Sequence, residues 1–171
     1  DGTYYTTTFD LSNRYQGELL KIEKLDTNKV YTALYYDKSV TSFYVKRFSF
    51  DVSDNTPVSF ISEAKGSYLV EISEDLHPQF EIIFGGKNVN RDPETVDAEE
   101  FIAKKGLQAK GKKVSALDVK NVHFVEPIHK PEDDAQAKES EAENLAGEID
   151  NSDVEDPIDI ELDEDTQLTL F

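Results

Sequence analysis

Apolar and aromatic residues fall in short runs over the first half of the chain, and polar clusters separate them. Runs rich in Tyr, Phe, Val, Ile and Thr lie at 3–9, 18–24, 30–36, 42–50 and 67–72. Between them come turn formers: 10–17, Asp26-Thr27-Asn28, Asp37-Lys38, Asp54-Asn55-Thr56-Pro57 and Gly85-Gly86-Lys87-Asn88. Branched and aromatic side chains suit a pleated, half-buried surface, while Gly, Pro, Asn and Asp suit tight reversals. The pattern predicts an all-β fold, either sandwich, barrel or propeller, and nothing before residue 85 sustains a helical period.

A shift of 49 residues aligns Gly17 with Gly66, Leu20 with Leu69 and Asp26 with Asp75. It also lays Tyr31-Thr32-Ala33-Leu34-Tyr35 over Phe80-Glu81-Ile82-Ile83-Phe84. Few identities support this register, and a chance match is the competing reading. Periods of ~40–50 residues are those of four-stranded propeller blades, so the body reads as about two blades plus an extra segment. After Gly86 the character changes. Residues 88–97 read as a polar loop and 98–103 as a helical turn or a strand. A Lys-rich stretch follows, then apolar positions at Leu117, Val119, Val122 and Phe124.

Charge divides the chain in two. The whole has 36 acidic residues against 18 Lys and Arg, a net of −18, which taken alone argues against nucleic acid. Residues 131–171 hold 16 of the acids and one Lys, a net of −15, which leaves 1–130 at −3. The expected organisation is therefore a folded body at 1–130 and a disordered acidic tail at 131–171, too poor in apolar surface to offset its ordering entropy. Within the body, 104–120 carries six Lys and one acid, Asp118. There is no Cys, so neither disulfide nor thiolate site is expected. Met is absent and the chain opens on Asp1 inside a predicted strand, which reads as a C-terminal piece of something longer. No apolar run approaches the ~20 residues a bilayer span requires.

Lysines 104, 105, 110, 112, 113 and 120 are the candidate phosphate contacts, with Lys46 and Arg47 as a second basic spot. Lys is a flexible point charge, and Gly106 and Gly111 let backbone approach a phosphate chain. The alternative is a solvated Lys-rich loop balancing an acidic face. Strand alternation puts Lys46 and Arg47 on opposite faces, so at most one joins such a surface. His77, His123 and His129 are not spaced as a metal site, and 153–165 lacks the calcium-loop spacing. No nucleophile triad, P-loop or dinucleotide fingerprint appears.

The stretch Phe101-Ile102-Ala103-Lys104-Lys105-Gly106-Leu107-Gln108-Ala109-Lys110-Gly111-Lys112-Lys113 resembles the Lys-Gly segment near the end of the A subunit of bacterial topoisomerase IV and its gyrase relatives, in Bacteroidetes-type versions. The runs Phe9-Asp10-Leu11-Ser12-Asn13, 29–37 and Tyr44-Val45-Lys46-Arg47-Phe48 are similar to the same C-terminal domain, as is an acidic tail ending in Leu170-Phe171. The resemblance implies a partial β-pinwheel whose basic rim binds and bends duplex DNA for strand passage. It implies the rest of the A subunit and an ATPase B subunit as partners, a cytoplasmic, chromosome-associated location, and ATP and Mg2+ used elsewhere on the parent, with no cofactor here. None of the eight Tyr lies in the Arg-rich context of the family's cleavage tyrosine, and the Gln/Arg/Gly-rich wrapping box of gyrase is missing. No catalytic residue is expected on this segment.

Gln167-Leu168-Thr169-Leu170-Phe171 is similar to the peptide with which bacterial replication proteins dock on the sliding clamp. Leu170 and Phe171 would fill an apolar pocket, and Gln167 would bond at its rim. A protein-interaction module built on that peptide is the second hypothesis. A carbohydrate-binding domain using the Tyr-rich strands is the third. The charge division also makes the tail a tethered competitor for the basic stretch. Removal of 131–171 is therefore expected to raise affinity for duplex DNA at low salt, and equal affinities with and without the tail would argue against competition.

Overall fold

Residues 2–8 and 19–129 are described by a computed structural model, and they belong to one unit, Asp1–His129. Gly17, the tail 131–171 and its terminal peptide lie outside the described residues. The strands, in chain order, are β1 (Thr3–Tyr4), β2 (Tyr31–Asp37), β3 (Ser42–Phe48), β4 (Val58–Ser59), β5 (Tyr68–Ser73), β6 (Gln79–Phe84), β7 (Glu94–Asp97), β8 (Lys112–Lys113) and β9 (Val119–Val125). One short helix, α1 (Ala98–Phe101), follows β7, and the Asp97 side chain caps it by accepting from the Glu99 N–H at 2.8 Å. All pairings are antiparallel, and the all-β expectation holds.

Two of the three sheets repeat one plan. β2 is central in the order β5–β2–β3–β8, and β6 is central in β7–β6–β9. Each central strand turns into its next neighbour, β3 or β7, and is flanked on the other side by a later strand, β5 or β9. The 49-residue offset superposes the two central strands. It also superposes the single register shift in each sheet, between Leu34 and Tyr35 on β2 and between Ile83 and Phe84 on β6. A bulge at the same place bends both sheets alike.

The short strands tie neighbouring repeats together. β8 comes from the chain between β7 and β9 but pairs with the outer edge of β3. β4, from between β3 and β5, pairs likewise with β1. In each case the following residue donates back: Val114 N–H to Phe43 O at 3.0 Å, and Phe60 N–H to Gly2 O at 2.9 Å.

The β2-centred sheet is a middle layer. Leu34, Phe43 and Val45 point into a core shared with Phe80, Ile82, Phe84, Val114 and Val122. Tyr31, Ala33, Tyr35 and Phe48 point the other way, into a second core with Phe60 and Ile61, against which Tyr4 and Leu107 pack. Alternation along β2 and β3 feeds both cores, so neither face of this sheet is left to water.

Two expectations are corrected. Residues 19–24 form no strand: Lys21 and Glu23 join a surface ion-pair group with Lys29 and Glu74, and Leu19, Leu20 and Ile22 are exposed. The expected loop 88–97 contains β7, whose Val96 packs on the first core.

Gly111 is fixed by packing. Its φ is +89°, and a Cβ there would fall on the Val45 carbonyl oxygen and 2.8 Å from Lys46 Cβ. Gly106 has nothing within 4 Å of the same position. Gly111→Ala should therefore cost ~1–3 kcal/mol of strain or more, whereas Gly106→Ala should stay within ~1 kcal/mol of the parent. Urea midpoints of the two variants check this, and equal midpoints would contradict it.

Candidate nucleic-acid interface

The basic stretch is a loop laid on the edge of β3 and held by side chains from the middle sheet. Lys46, on β3, is 4% exposed and sends its ammonium to two carbonyls, Phe60 O at 2.7 Å and Leu107 O at 2.6 Å. Its Nζ also lies 4.9 Å from the centre of the Phe48 ring. The Tyr35 hydroxyl donates to Lys110 O. Backbone bonds add Lys105 N–H to Arg47 O and the Ala109 N–H to Gly106 O turn, both at 2.9 Å. Leu107 packs on the second core.

Asp37, at the end of β2, is the matching acid. It is 1% exposed and accepts from Ser39 Oγ at 2.6 Å, Ser39 N–H at 2.9 Å, Ser62 Oγ at 3.1 Å and Lys110 Nζ at 2.7 Å. Burial would raise its carboxyl, but the bonds from Lys110, Ser39 and Ser62 outweigh that and hold it at about 2. Lys46 has no carboxylate partner among the described residues, and burial pushes its ammonium from 10.5 down to about 8. Asp37, Lys46 and Lys110 line a cleft of about 250 Å3 between the loop and the 59–62 connector.

These contacts sort the expected cations. Lys104, Lys105, Lys113 and Lys120 are exposed and have no ion pair among the described residues. Lys110 is half-exposed but bonded to Asp37, with its Nζ 4.8 Å from the Tyr44 ring centre. Lys112 donates to Phe101 O at 3.0 Å and sits 3.8 Å over that ring. The first three free lysines share the loop, whereas Lys120 lies on β9 of the other sheet.

Lys46 and Arg47, expected as a second basic spot, are both turned inward. Arg47 is 9% exposed and pairs with Glu99 at 2.9 Å, and Glu99 in turn meets His77. Burial raises the Glu99 carboxyl, and the bonds from His77 and Arg47 bring it below its ordinary value. Alternation does put the two cations on opposite faces of β3, but both faces of this sheet are covered. The glycine expectation changes as well, because Gly111 brings the loop close to β3 itself. Of the tyrosines in the N-terminal strands, Tyr31 and Tyr35 are in the second core and Tyr4 packs on Phe50 at 4.4 Å, while Tyr5 and Tyr68 are exposed. Asp37 was missed as a site residue; its only sequence signal is its place before the Lys-Ser turn.

Among the described residues, no group of three or more His, Asp and Glu side chains is placed to hold a metal ion. No helix among them is long and apolar enough to cross a membrane. An antiparallel repeat domain with a braced lysine loop is the class of protein defined so far. Residues 1–126 match the family described as the topoisomerase C-terminal domain of Bacteroidota, and the chain belongs to that family. Comparison with curated proteins gave no match, and neither did comparison with solved structures.

The buried ammonium makes stability depend on pH in a definite direction. Above about pH 8 the folded chain sheds the Lys46 proton while the unfolded chain, at 10.5, keeps it. Stability therefore rises with pH from about 8 to 9.5, at up to ~1.4 kcal/mol per pH unit. Tyr31, pushed up by burial and Glu23 to about 12, opposes this only above pH 10. In Lys46→Met the rise should vanish; urea midpoints at several pH values measure it, and an unchanged slope would contradict the assignment.

Proposed function

We propose that this domain binds duplex DNA without sequence preference, as the C-terminal part of a type IIA topoisomerase A subunit. In this reading it positions and bends the duplex for ATP-dependent strand passage by the parent enzyme. ATP and Mg2+ act on other parts of that enzyme, the partners are the rest of the A subunit and the ATPase B subunit, and the setting is the bacterial cytoplasm. The repeated sheets are read as blades of a partial β-pinwheel, with the folded body at 1–130 and the acidic tail at 131–171.

The observation that carries the reading is the division of labour among the lysines. Lys110 and Lys112 help to anchor the loop, while Lys104, Lys105 and Lys113 stand free on it. Point-charge ammonium groups on a braced backbone suit phosphate oxygens, which position a duplex and carry no base code. Family membership supports the same reading, since a topoisomerase acts on DNA.

Duplex affinity measured against salt tests it. Each phosphate neutralised contributes ~0.9 to the slope of log affinity on log salt. Converting Lys104, Lys105, Lys113 and Lys120 to Ala should lower that slope by about 3 to 4, with melting unchanged. Undetectable binding at low salt, or an unaltered slope, would end the DNA reading.

A second reading is docking on the sliding clamp through Gln167, Leu168, Leu170 and Phe171, and it is favoured by that peptide's sequence. Replacing Leu170 and Phe171 by Ala should abolish clamp capture. Undiminished capture would reject this reading.

A further inference from the structure

Beside the β2–β3 turn the middle sheet carries a row of rings that crosses three strands and ends at the sheet edge. Phe43 on β3 pairs in register with Tyr36 on β2, and Tyr36 pairs with Tyr68 on β5. The Phe43 ring meets Tyr36 edge-on at 5.0 Å, and Tyr36 stacks on Tyr68 at 5.4 Å with 27° between the planes. Burial falls along the row: Phe43 belongs to the first core, Tyr36 packs half-buried against it, and Tyr68 is 49% exposed. β5 is the outer strand of its sheet. Contact with Tyr36 satisfies the need of the sheet for a cross-strand aromatic pair. The rest of the Tyr68 ring stands in water, and its hydroxyl makes no hydrogen bond among the described residues.

The turn that leads into Tyr68 brings cations to the ring. Ser67 N–H closes on Ala64 O at 2.8 Å, and the Ser67 hydroxyl accepts from Lys38 N–H at 2.9 Å. A Cβ on Gly66, the residue between Lys65 and Ser67, would lie 3.3 Å from Lys38 Cγ. Lys38 and Lys65 thus sit on the two chain segments that meet beside Tyr68. Both are exposed, and neither has an ion pair among the described residues. The acids nearby are mostly committed. Asp37 is held by Lys110, Ser39 and Ser62, and Glu71 accepts from Phe124 N–H, which leaves Glu63 as the exposed one on this connection.

We infer that Tyr68, flanked by Lys38 and Lys65, is a stacking site for an unpaired nucleotide of a DNA strand. Every base has a flat π-face that stacks on an aromatic ring whatever its identity, and the phosphates beside it suit point-charge ammonium groups. A base inside a duplex keeps that face in its own stack, so the site answers to strand separation and not to duplex DNA. A neutral sugar would use the ring but leave both cations without a partner. The inference rests on the DNA reading above for the class of partner and names a second form of it, bound at a place the lysine loop does not include.

The experiment uses the full chain at low salt with an oligo-dT of about 16 nucleotides, a duplex of the same length, and a neutral polysaccharide column. The inference expects Tyr68→Ala to bind the oligo-dT roughly 5- to 150-fold more weakly, with duplex affinity equal to that of the parent. Tyr68→Phe should bind as the parent does, because the ring makes the contact and the hydroxyl is unbonded. Tyr68→Leu keeps an apolar cover on Tyr36 and should lose as much as Tyr68→Ala, which separates lost stacking from a disrupted edge. Lys38→Ala with Lys65→Ala should lower the salt slope for oligo-dT by about 1.4. Undiminished oligo-dT affinity in Tyr68→Ala, or an equal loss for the duplex, overturns the inference. If the parent binds duplex but not oligo-dT, the inference falls while the DNA reading stands; if it binds neither, both fall. Column retention that Tyr68→Ala abolishes, with oligo-dT binding unchanged, would assign the ring to a sugar and overturn the inference as well.

Discussion

A buried ammonium, Lys46, with no counter-charge among the described residues, ties the lysine loop to the rest of this domain. Taking Lys46 out of water costs several kcal/mol, and two charge-assisted bonds of ~1.5–3 kcal/mol each return a similar amount. The net contribution to stability is small. The geometric consequence is large, because the two acceptors, Phe60 O and Leu107 O, belong to separate segments. One segment closes the preceding repeat through β4, and the other is the lysine loop. Pulling the loop away would take one of the buried ammonium's two acceptors from it, which ties the loop to this position. Asp37 repeats the device with the opposite sign, joining the β2–β3 turn, the connector and Lys110.

Much of this architecture was legible in the chain. The runs at 30–36, 42–50 and 67–72 became β2, β3 and β5 within a few residues. The weak 49-residue register relates the two central strands and the register shift in each, whereas its pairing of Leu20 with Leu69 sets a segment without a strand against β5. The helical alternative for 98–103 was realised because Asp97 offers a cap and Ala98 and Phe101 face the core. What failed did so for a physical reason. Lys46 and Arg47 look like surface cations if a strand has one wet face, and nothing local reveals that their sheet is a middle layer. Residues 19–24 alternate like a strand, but their polar side found ion partners while their apolar side found none. β8 is two lysines long and becomes a strand only because Gly111 allows the chain to lie against Val45.

The same tertiary facts redraw the candidate site. A cluster of six lysines reads in sequence as six equal contacts. In the fold they separate into anchors, Lys110 and Lys112, and free charges, Lys104, Lys105, Lys113 and Lys120. The body has a net charge of −3, and three of its acids are paired away from the loop, Glu23 and Glu74 with Lys21 and Lys29, and Glu99 with Arg47.

The account stands or falls on whether bracing, and not merely charge, makes the loop a binding element. Lys46→Met tests this most directly, because it removes the brace while leaving every exposed lysine in place. Its affinity for duplex DNA should be measured near pH 7 and low salt, together with amide exchange across 104–113. The prediction is faster exchange in the loop and at least several-fold weaker binding, with cooperative unfolding retained. Faster exchange with undiminished affinity would contradict the central claim.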